Sequence, residues 1–357
     1  MKKNYEKIFN KKKVLITGHT GFKGTWLALW MYYLGANVMG ISKNIPTKPS
    51  HFKTIGLNNI IKSKIFDIKN KKLLQANIKK FKPDFIFHLA AQSIVKKSYS
   101  NSLETWTSNL VGTINLLESL KNFNKQVVVV LITSDKVYKN LEVKRGYKEN
   151  DDLGGIDPYG ASKSATEIAI KSYINSFFYN NKNRILIATA RAGNVIGGGD
   201  WSQDRLIPDC IRSWSKKKDV IIRNPNSTRP WQHVLDVLNG YIKLAVKLKK
   251  NKNIHGEEFN FGPSSNNFKV VEILKFAKKI WPSINWKVIK NKNFFENKLL
   301  SLNSKKAKKI LNWNTKLNIF NNIKLTIEWY KLYFSNKSKR QVLDNSINQI
   351  KLFEKIK

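Results

Sequence analysis

The chain has one cysteine, Cys210, so no disulfide can form within it, and a reduced compartment is the expected setting. No apolar run approaches the ~18 residues of a membrane span. No apolar segment follows the basic N-terminus, which argues against a signal peptide, and a cytoplasmic location is expected. Acidic residues are scarce, 24 against 65 lysines and arginines, for a formal net charge of +41. Such an imbalance ordinarily points to nucleic acid or an anionic surface. Here the lysines are spread along the whole chain among asparagine and isoleucine, as drift toward AT-rich codons produces. No basic block interleaves with aromatics, and no Cys/His spacing fits a zinc finger, so neither nucleic-acid binding nor a metal is expected. No internal repeat is visible. The 357 residues suffice for a large core and for two domains, or for one α/β unit with an appended lobe.

What is present is organised around Val14 to Ala36. Val14 to Thr17 is a short apolar run that predicts a buried strand. Gly18, Gly21 and Gly24 follow, then Leu27, Trp30, Met31 and Leu34 at helical spacing, with Gly35 placed to end the helix. Strand, glycine turn and helix N-terminus together form a cradle for a pyrophosphate, because backbone N–H groups and the helix dipole face the anion. The spacing is G-x-x-G-x-x-G, looser than the strictest dinucleotide fingerprint. An ordinary tight turn is the alternative.

Asn37 to Ser42 predicts the second strand. Ser42 and Lys43 stand where a NAD-preferring site carries an acidic residue, so this position leaves NAD against NADP open. Ile65 to Ile68 reads as a strand end, with Asp67 as a turn residue. Asp84 to Gln92 is an apolar strand running into small residues, and Ala90 and Ala91 leave room for a cofactor against the backbone. His88 is as well explained by a satisfied buried histidine as by a functional one. Ser108 to Thr113 leads into an amphipathic helix, Ile114 to Leu120, whose apolar positions are candidates for a subunit contact. Val127 to Ile132 is a continuous apolar run, expected to be a central parallel strand. It delivers Thr133-Ser134-Asp135-Lys136 to the sheet edge where open α/β folds place their chemistry. Alternating strands and helices give the fold class as α/β, a doubly wound parallel sheet.

Tyr159 and Lys163 are four residues apart, after a proline suited to a helix's first turn. The lysine ammonium would stabilise a tyrosinate, lowering the phenol from its reference pKa of about 10. A tyrosinate can take the proton of a hydroxyl as hydride leaves the same carbon. A surface i, i+4 pair is the bland alternative.

These motifs resemble the nucleotide-sugar 4,6-dehydratases of the extended short-chain dehydrogenase/reductase family, in the branch acting on CDP-glucose. The resemblance rests on Thr17 to Gly24, His88 to Gln92, Thr133 to Lys136, Arg191 to Trp201, Arg229 to Val234 and Asn260 to Pro263. It implies a Rossmann fold with a smaller C-terminal sugar-nucleotide lobe, NAD as cofactor, CDP-glucose as small-molecule substrate, and a homodimer or homotetramer. It also implies a role in making deoxysugars for surface polysaccharides. The NAD-binding domain would span 1–190, with 230–262 returning to it. The substrate lobe would be 191–229 and 263–334, and 335–357 a basic tail, either a docked helix or a disordered end.

By the same resemblance, Tyr159 takes the proton of the glucose 4-hydroxyl and Lys163 holds the tyrosinate and the nicotinamide ribose. Thr133 or Ser134 hydrogen-bonds the 4-oxygen, Asp135 protonates the leaving 6-hydroxyl, and Lys136 is the favoured base at C5. For that role Lys136 needs desolvation beside Lys163, which disfavours the ammonium. The cofactor would meet Gly18, Thr20, Gly21, Phe22, Lys23 and Gly24. Further along it would meet Asp67, at the adenine, then Ile68, Leu89, Ala90, Ala91, Gln92 and Asn109. Substrate contacts would come from Ser134, Asn194, Trp201, Arg205, Arg223, Arg229 and His233. Gly197 to Trp201 reads as a flexible loop able to close over a nucleotide. The three arginines stand out in a lysine-preferring chain, because a planar fork suits a diphosphate. A 4-epimerase or reductase on the same scaffold shares Tyr159 and Lys163 but needs no acid and base at 135 and 136. A basic nucleic-acid-binding protein on a reused Rossmann scaffold is the remote reading.

Overall fold

A computed structural model describes residues 2–179, 184–222, 224–263, 268–289, 300–335 and 337–356. Seven strands form the main sheet: β1 (Lys13–Thr17), β2 (Asn37–Ser42), β3 (Lys62–Ile65), β4 (Phe85–His88), β5 (Val127–Ile132), β6 (Ile185–Ala192) and β7 (Glu258–Phe261). Their order is β7-β6-β5-β4-β1-β2-β3, and every pairing is parallel. The order reverses between β1 and β4, where Thr17 pairs with His88. That is the switch point at which open α/β sheets leave a crevice beyond their strand ends.

Both faces of the sheet are covered. Along β5, Val128, Val130 and Ile132 join the core on one face, while Val127, Val129 and Leu131 join that on the other. Alternation on a strand buried on both sides turns an unbroken apolar run into two cores. Helix α1 (Phe22–Tyr33) follows the first strand, and Gly35 adopts φ +79° just past its end. Helices α2 (Gly112–Lys121) and α3 (Pro158–Tyr173) flank the sheet, and α4 (Val234–Lys250) packs against β5 and β6. Helix α5 (Ile319–Phe334) contacts α6 (Lys339–Lys355). No helix among the described residues is long and apolar enough to cross a membrane.

Two expectations change, and one alternative left open is settled. The apolar positions of 114–120 do not face out, because Leu116, Leu117 and Leu120 are fully buried in the core under β5. The exposed apolar side chains lie on its neighbours, at Leu103, Val111 and Ile168. The basic tail is a docked helix: Glu354 of α6 accepts a 2.9 Å hydrogen bond from Trp30 Nε1 of α1, and Ile350 and Phe353 are buried. The Gly197–Gly199 segment is not an open loop. A Cβ at Gly198 would stand 2.1 Å from Trp329 Cγ, and one at Gly199 would stand 2.6 Å from His51 Cγ. These glycines exist so that backbone can lie against aromatic rings.

Candidate active site

The glycine turn closes over the switch point. Gly18 has φ +76°, and a Cβ there would come within 2.7 Å of Ala90 N and 2.8 Å of Leu89 C. A Cβ at Gly24 would be 2.0 Å from Gly18 O, so turn and helix touch through backbone alone. At Gly21 the nearest atom is Gly18 O at 3.4 Å, leaving open space on that side. No side chain caps the N-terminus of α1 and no acidic residue stands in its first turn. Uncapped N–H groups beside an approachable glycine fit the pyrophosphate of NAD. Thr20 holds the turn to β2, its N–H donating to Ser42 Oγ (3.2 Å) and its hydroxyl to Asn44 O (2.6 Å). Phe22 lies under Gly197. His19, unremarked in the sequence, fills the space above Gly40 and hydrogen-bonds Ser42 (2.9 Å) and Ser63 (2.7 Å).

Beyond β4, Leu89, Ala90 and Ala91 are half-buried along the crevice. Asn109 is fully buried and works inward: it accepts from Gln92 N (2.8 Å) and donates to Ser162 Oγ (2.9 Å), bracing α3. Gln92 spends its side chain on Ile94 and Thr105. His88 is the satisfied histidine, bonded to Thr17 (2.8 Å) and Thr113 (3.1 Å). Asp67 pairs with Lys43 (3.1 Å) and Ile68 is buried against Gly112.

Helix α3 begins at Pro158 as the sequence predicts, with Asp157 accepting from Tyr159 N and Gly160 N at 3.0 Å each. Tyr159 is 7% exposed and Lys163 4%. Burial pushes the Tyr159 phenol up to about 12, opposed by a hydrogen bond with the Ser134 side chain. Burial also draws Lys163 down to about 8, reinforced by the charge of Lys23 and opposed by Glu167. Lys163 Nζ donates to Ile132 O at 3.5 Å. Ser134 donates to Asp135 Oδ1 (3.0 Å), which places a hydroxyl between the tyrosine and the carboxylate. Lys136 is half-buried and forms no ion pair with Asp135 among the described residues.

Thr133 goes the other way. Its hydroxyl donates to Glu167 Oε1 at 2.5 Å, and Glu167 is gripped by the guanidinium of Arg191. Residues 133 and 134 follow a strand, so their side chains take opposite sides. Only Ser134 is on Tyr159's side. Glu167 and Arg191 were missed, although Glu167 stands one turn after Lys163 on the same helix face.

Lys23 reaches toward this centre, its ammonium 6.0 Å from the Tyr241 ring. Burial lowers it to about 8, with Arg205 adding to the effect and Asp135 and Asp200 opposing it. Tyr241, also missed, is fully buried, its hydroxyl has no partner among the described residues, and its phenol is raised by burial and by Tyr159 and Asp135. Arg205 is paired with Asp200 at 3.0 Å. Asn194 is half-buried beside Gly193, whose Cβ would meet Asp135 Oδ2 at 3.1 Å. Two substrate candidates also have partners within the fold. Trp201 is 5% exposed and packs on Tyr330, Tyr333 and Phe334, and His233 caps α4 by accepting from Leu235 N (3.3 Å). Arg229 lies in a strand pairing with Phe268, and Arg223 lies outside the described residues. No group of His, Cys, Asp and Glu among the described residues fits a metal.

The family model described as GDP-mannose 4,6 dehydratase matches residues 15–326. A CDP-glucose 4,6-dehydratase of Salmonella typhimurium is 41% identical, over 93% of this chain and 96% of that protein. A dTDP-D-glucose 4,6-dehydratase of Dictyostelium discoideum is 27% identical, over 75% of this chain and 61% of that protein. Among solved structures, dTDP-glucose 4,6-dehydratase from Bacillus anthracis in complex with NAD is similar with a TM-score of 0.73 at 21% identity, over 93% of this chain and 99% of that one. An epimerase from Methanothermobacter thermautotrophicus reaches 0.80 at 22%, over 94% and 96%. At these identities the two structures speak for the fold.

Proposed function

Because the chain belongs to the GDP-mannose 4,6 dehydratase family, we propose that it is an NAD-dependent lyase converting CDP-glucose to CDP-4-dehydro-6-deoxyglucose and water. The observation that carries this reading is the Ser134-Asp135-Lys136 edge of β5 set against Tyr159 and Lys163, in a chain 41% identical to a CDP-glucose 4,6-dehydratase.

The Gly18–Gly24 turn would hold NAD, which when bound would supply the hydride acceptor and donor for the sugar. Tyr159 removes the proton of the 4-hydroxyl. Its phenol, held up to about 12 by burial, is protonated at rest, so Tyr159 becomes a base by passing its own proton through the Ser134 hydroxyl to Asp135, with the Lys163 ammonium favouring the phenolate. With Lys163 at about 8, roughly nine lysines in ten are charged at pH 7. The 4-ketone acidifies C5, whose proton Lys136 takes. Asp135 delivers the proton it received through Ser134 to the departing 6-hydroxyl, water leaves, and the Lys136 ammonium returns its proton to C5, so that every residue ends in its starting form. Thr133 serves the buried Glu167–Arg191 pair rather than the sugar. Arg205 and Arg229 hold the diphosphate.

The substrate lobe comprises 191–229 and 263–334, supported by the return of β7 and α4 to the sheet between its two parts. Exposed Leu103, Val111 and Ile168 on contacting helices support a homodimer or homotetramer. The test is to supply CDP-, dTDP-, GDP- and UDP-glucose separately and analyse products by NMR. The expected result is a 4-keto-6-deoxy sugar from CDP-glucose above all others. A C4-inverted sugar with no loss of water would establish the epimerase reading instead.

A further inference from the structure

The second strand of a NAD-preferring unit usually ends on a carboxylate that accepts the ribose hydroxyls and repels a 2′-phosphate. Here β2 ends at Ser42, whose hydroxyl is already spent on Thr20 N and His19 Nδ1. The next residue is a lysine.

A carboxylate nevertheless arrives at that place from elsewhere in the chain. Glu104, in the short helix Ser102–Trp106, is brought 2.7 Å from Lys43 Nζ. Its other oxygen lies 2.5 Å from Lys69 Nζ, and Ser108 Oγ donates at 2.9 Å to the oxygen that meets Lys43. Asp67 completes the group, 3.1 Å from Lys43 and 3.7 Å from Lys69, while its second oxygen accepts from Lys69 N at 2.9 Å. Two cations and two anions from three separate segments thus meet just beyond β2 and β3, and their charges cancel. Burial pushes the Glu104 carboxyl up, but the hydrogen bonds from Lys43, Lys69 and Ser108 outweigh it and hold the group at about 2. It is a carboxylate at every working pH.

We propose that Glu104 is the specificity-determining residue of the adenosine end, supplying the carboxylate that the second strand lacks and selecting NAD over its 2′-phosphorylated form. This rests on the binding of NAD at the glycine turn. A 2′-phosphate brings nearly two negative charges to a site whose own charges sum to zero. Lys43 and Lys69 are already engaged, so the phosphate faces Glu104 and Asp67 without a free cation to repay its desolvation. Neutralising Glu104 leaves both ammonium groups sharing Asp67 alone, with one net positive charge to meet a 2′-phosphate. The specificity then moves toward NADP.

The experiment measures dissociation constants of NAD and NADP by calorimetry on cofactor-stripped protein, for the native chain, Glu104→Gln and Lys43→Glu. The native chain is expected to prefer NAD. Glu104→Gln should shift the ratio of the two constants toward NADP by tenfold or more while NAD binding changes only a few-fold. Lys43→Glu, which places a carboxylate on the strand end itself, should weaken NADP tenfold or more relative to NAD. An unchanged ratio in Glu104→Gln, with both constants moving together, would assign Glu104 to loop structure alone and overturn the proposal. Should Glu104→Gln fail to fold, NADP binding by Lys43→Glu equal to that of the native chain would overturn it. A native chain that binds neither nucleotide would instead refute the cofactor site itself.

Discussion

Replacing each of the two adjacent hydroxyls after β5 should have opposite consequences. Ser134 hydrogen-bonds Tyr159 and donates to Asp135, whereas Thr133 donates at 2.5 Å to Glu167 behind the site. Ser134→Ala removes the group that offsets burial at the phenol. The step it serves, removal of the 4-hydroxyl proton, should slow by roughly 10²–10⁴-fold, the usual worth of a positioned proton-transfer partner. Stability should barely move. Thr133→Val keeps the shape of the side chain but strips a donor from a buried carboxylate. Thr133 is 4% exposed and Glu167 5%, so little water can replace the bond, and a hydrogen bond to a charged group is worth about 1.5–3 kcal/mol. Glu167 keeps Arg191, which sets the loss toward the lower end, a fall of a few degrees in melting temperature. The assay pairs a single turnover with excess enzyme, following nicotinamide absorbance, with a thermal melt of each variant. The reasoning fails if Thr133→Val slows C4 oxidation a hundredfold while melting like the native chain.

Lys136→Met should still reduce the cofactor with CDP-glucose in D₂O, yet lose both C5 deuterium uptake and dehydration; exchange at the native rate would place the C5 base elsewhere. Gly198→Ala sets a Cβ 2.1 Å from the Trp329 ring, an overpacking that should cost about 1–3 kcal/mol or more. An unchanged melting temperature would mean that the segment is loose after all. Asp236 is buried with one oxygen unpartnered among the described residues, and burial raises its carboxyl from 3.8 to about 7. A raised folded-state value means its contribution to stability is intact below about pH 4 and is lost as pH rises through 7. The melting-temperature difference between Asp236→Asn and the native chain should therefore grow in the variant's favour from pH 5 to pH 8. A constant difference would contradict the burial argument.

Much of the scaffold was legible because its signals are local. The run Val127–Ile132 fitted a strand buried on both faces, and Pro158 announced the start of the helix that carries Tyr159 and Lys163. The partnership of hydroxyls was half-legible. Strand alternation alone implies that only one of residues 133 and 134 can face the tyrosine, but which one depends on Glu167 and Arg191 from other elements. Long-range packing hid the rest. Three consecutive glycines look like a hinge until Trp329 and His51 are placed against them, from segments more than a hundred residues away on either side. Trp201 looked like a nucleotide contact for the same reason and is an aromatic core residue. Glu104 gave no local sign at all, since its meaning lies in Lys43 and Lys69 on two other elements.

The central claim is that one active site oxidises C4, eliminates water across C5 and C6, and returns the same hydrogen to C6. CDP-glucose carrying deuterium at C4 tests it directly, with no added reductant and the product read by NMR and mass spectrometry. The account predicts a 4-keto-6-deoxy product with the deuterium at C6 and no net change in NADH. Deuterium lost from the sugar, or product formed only as NADH or NADPH is consumed in equal amount, would contradict it.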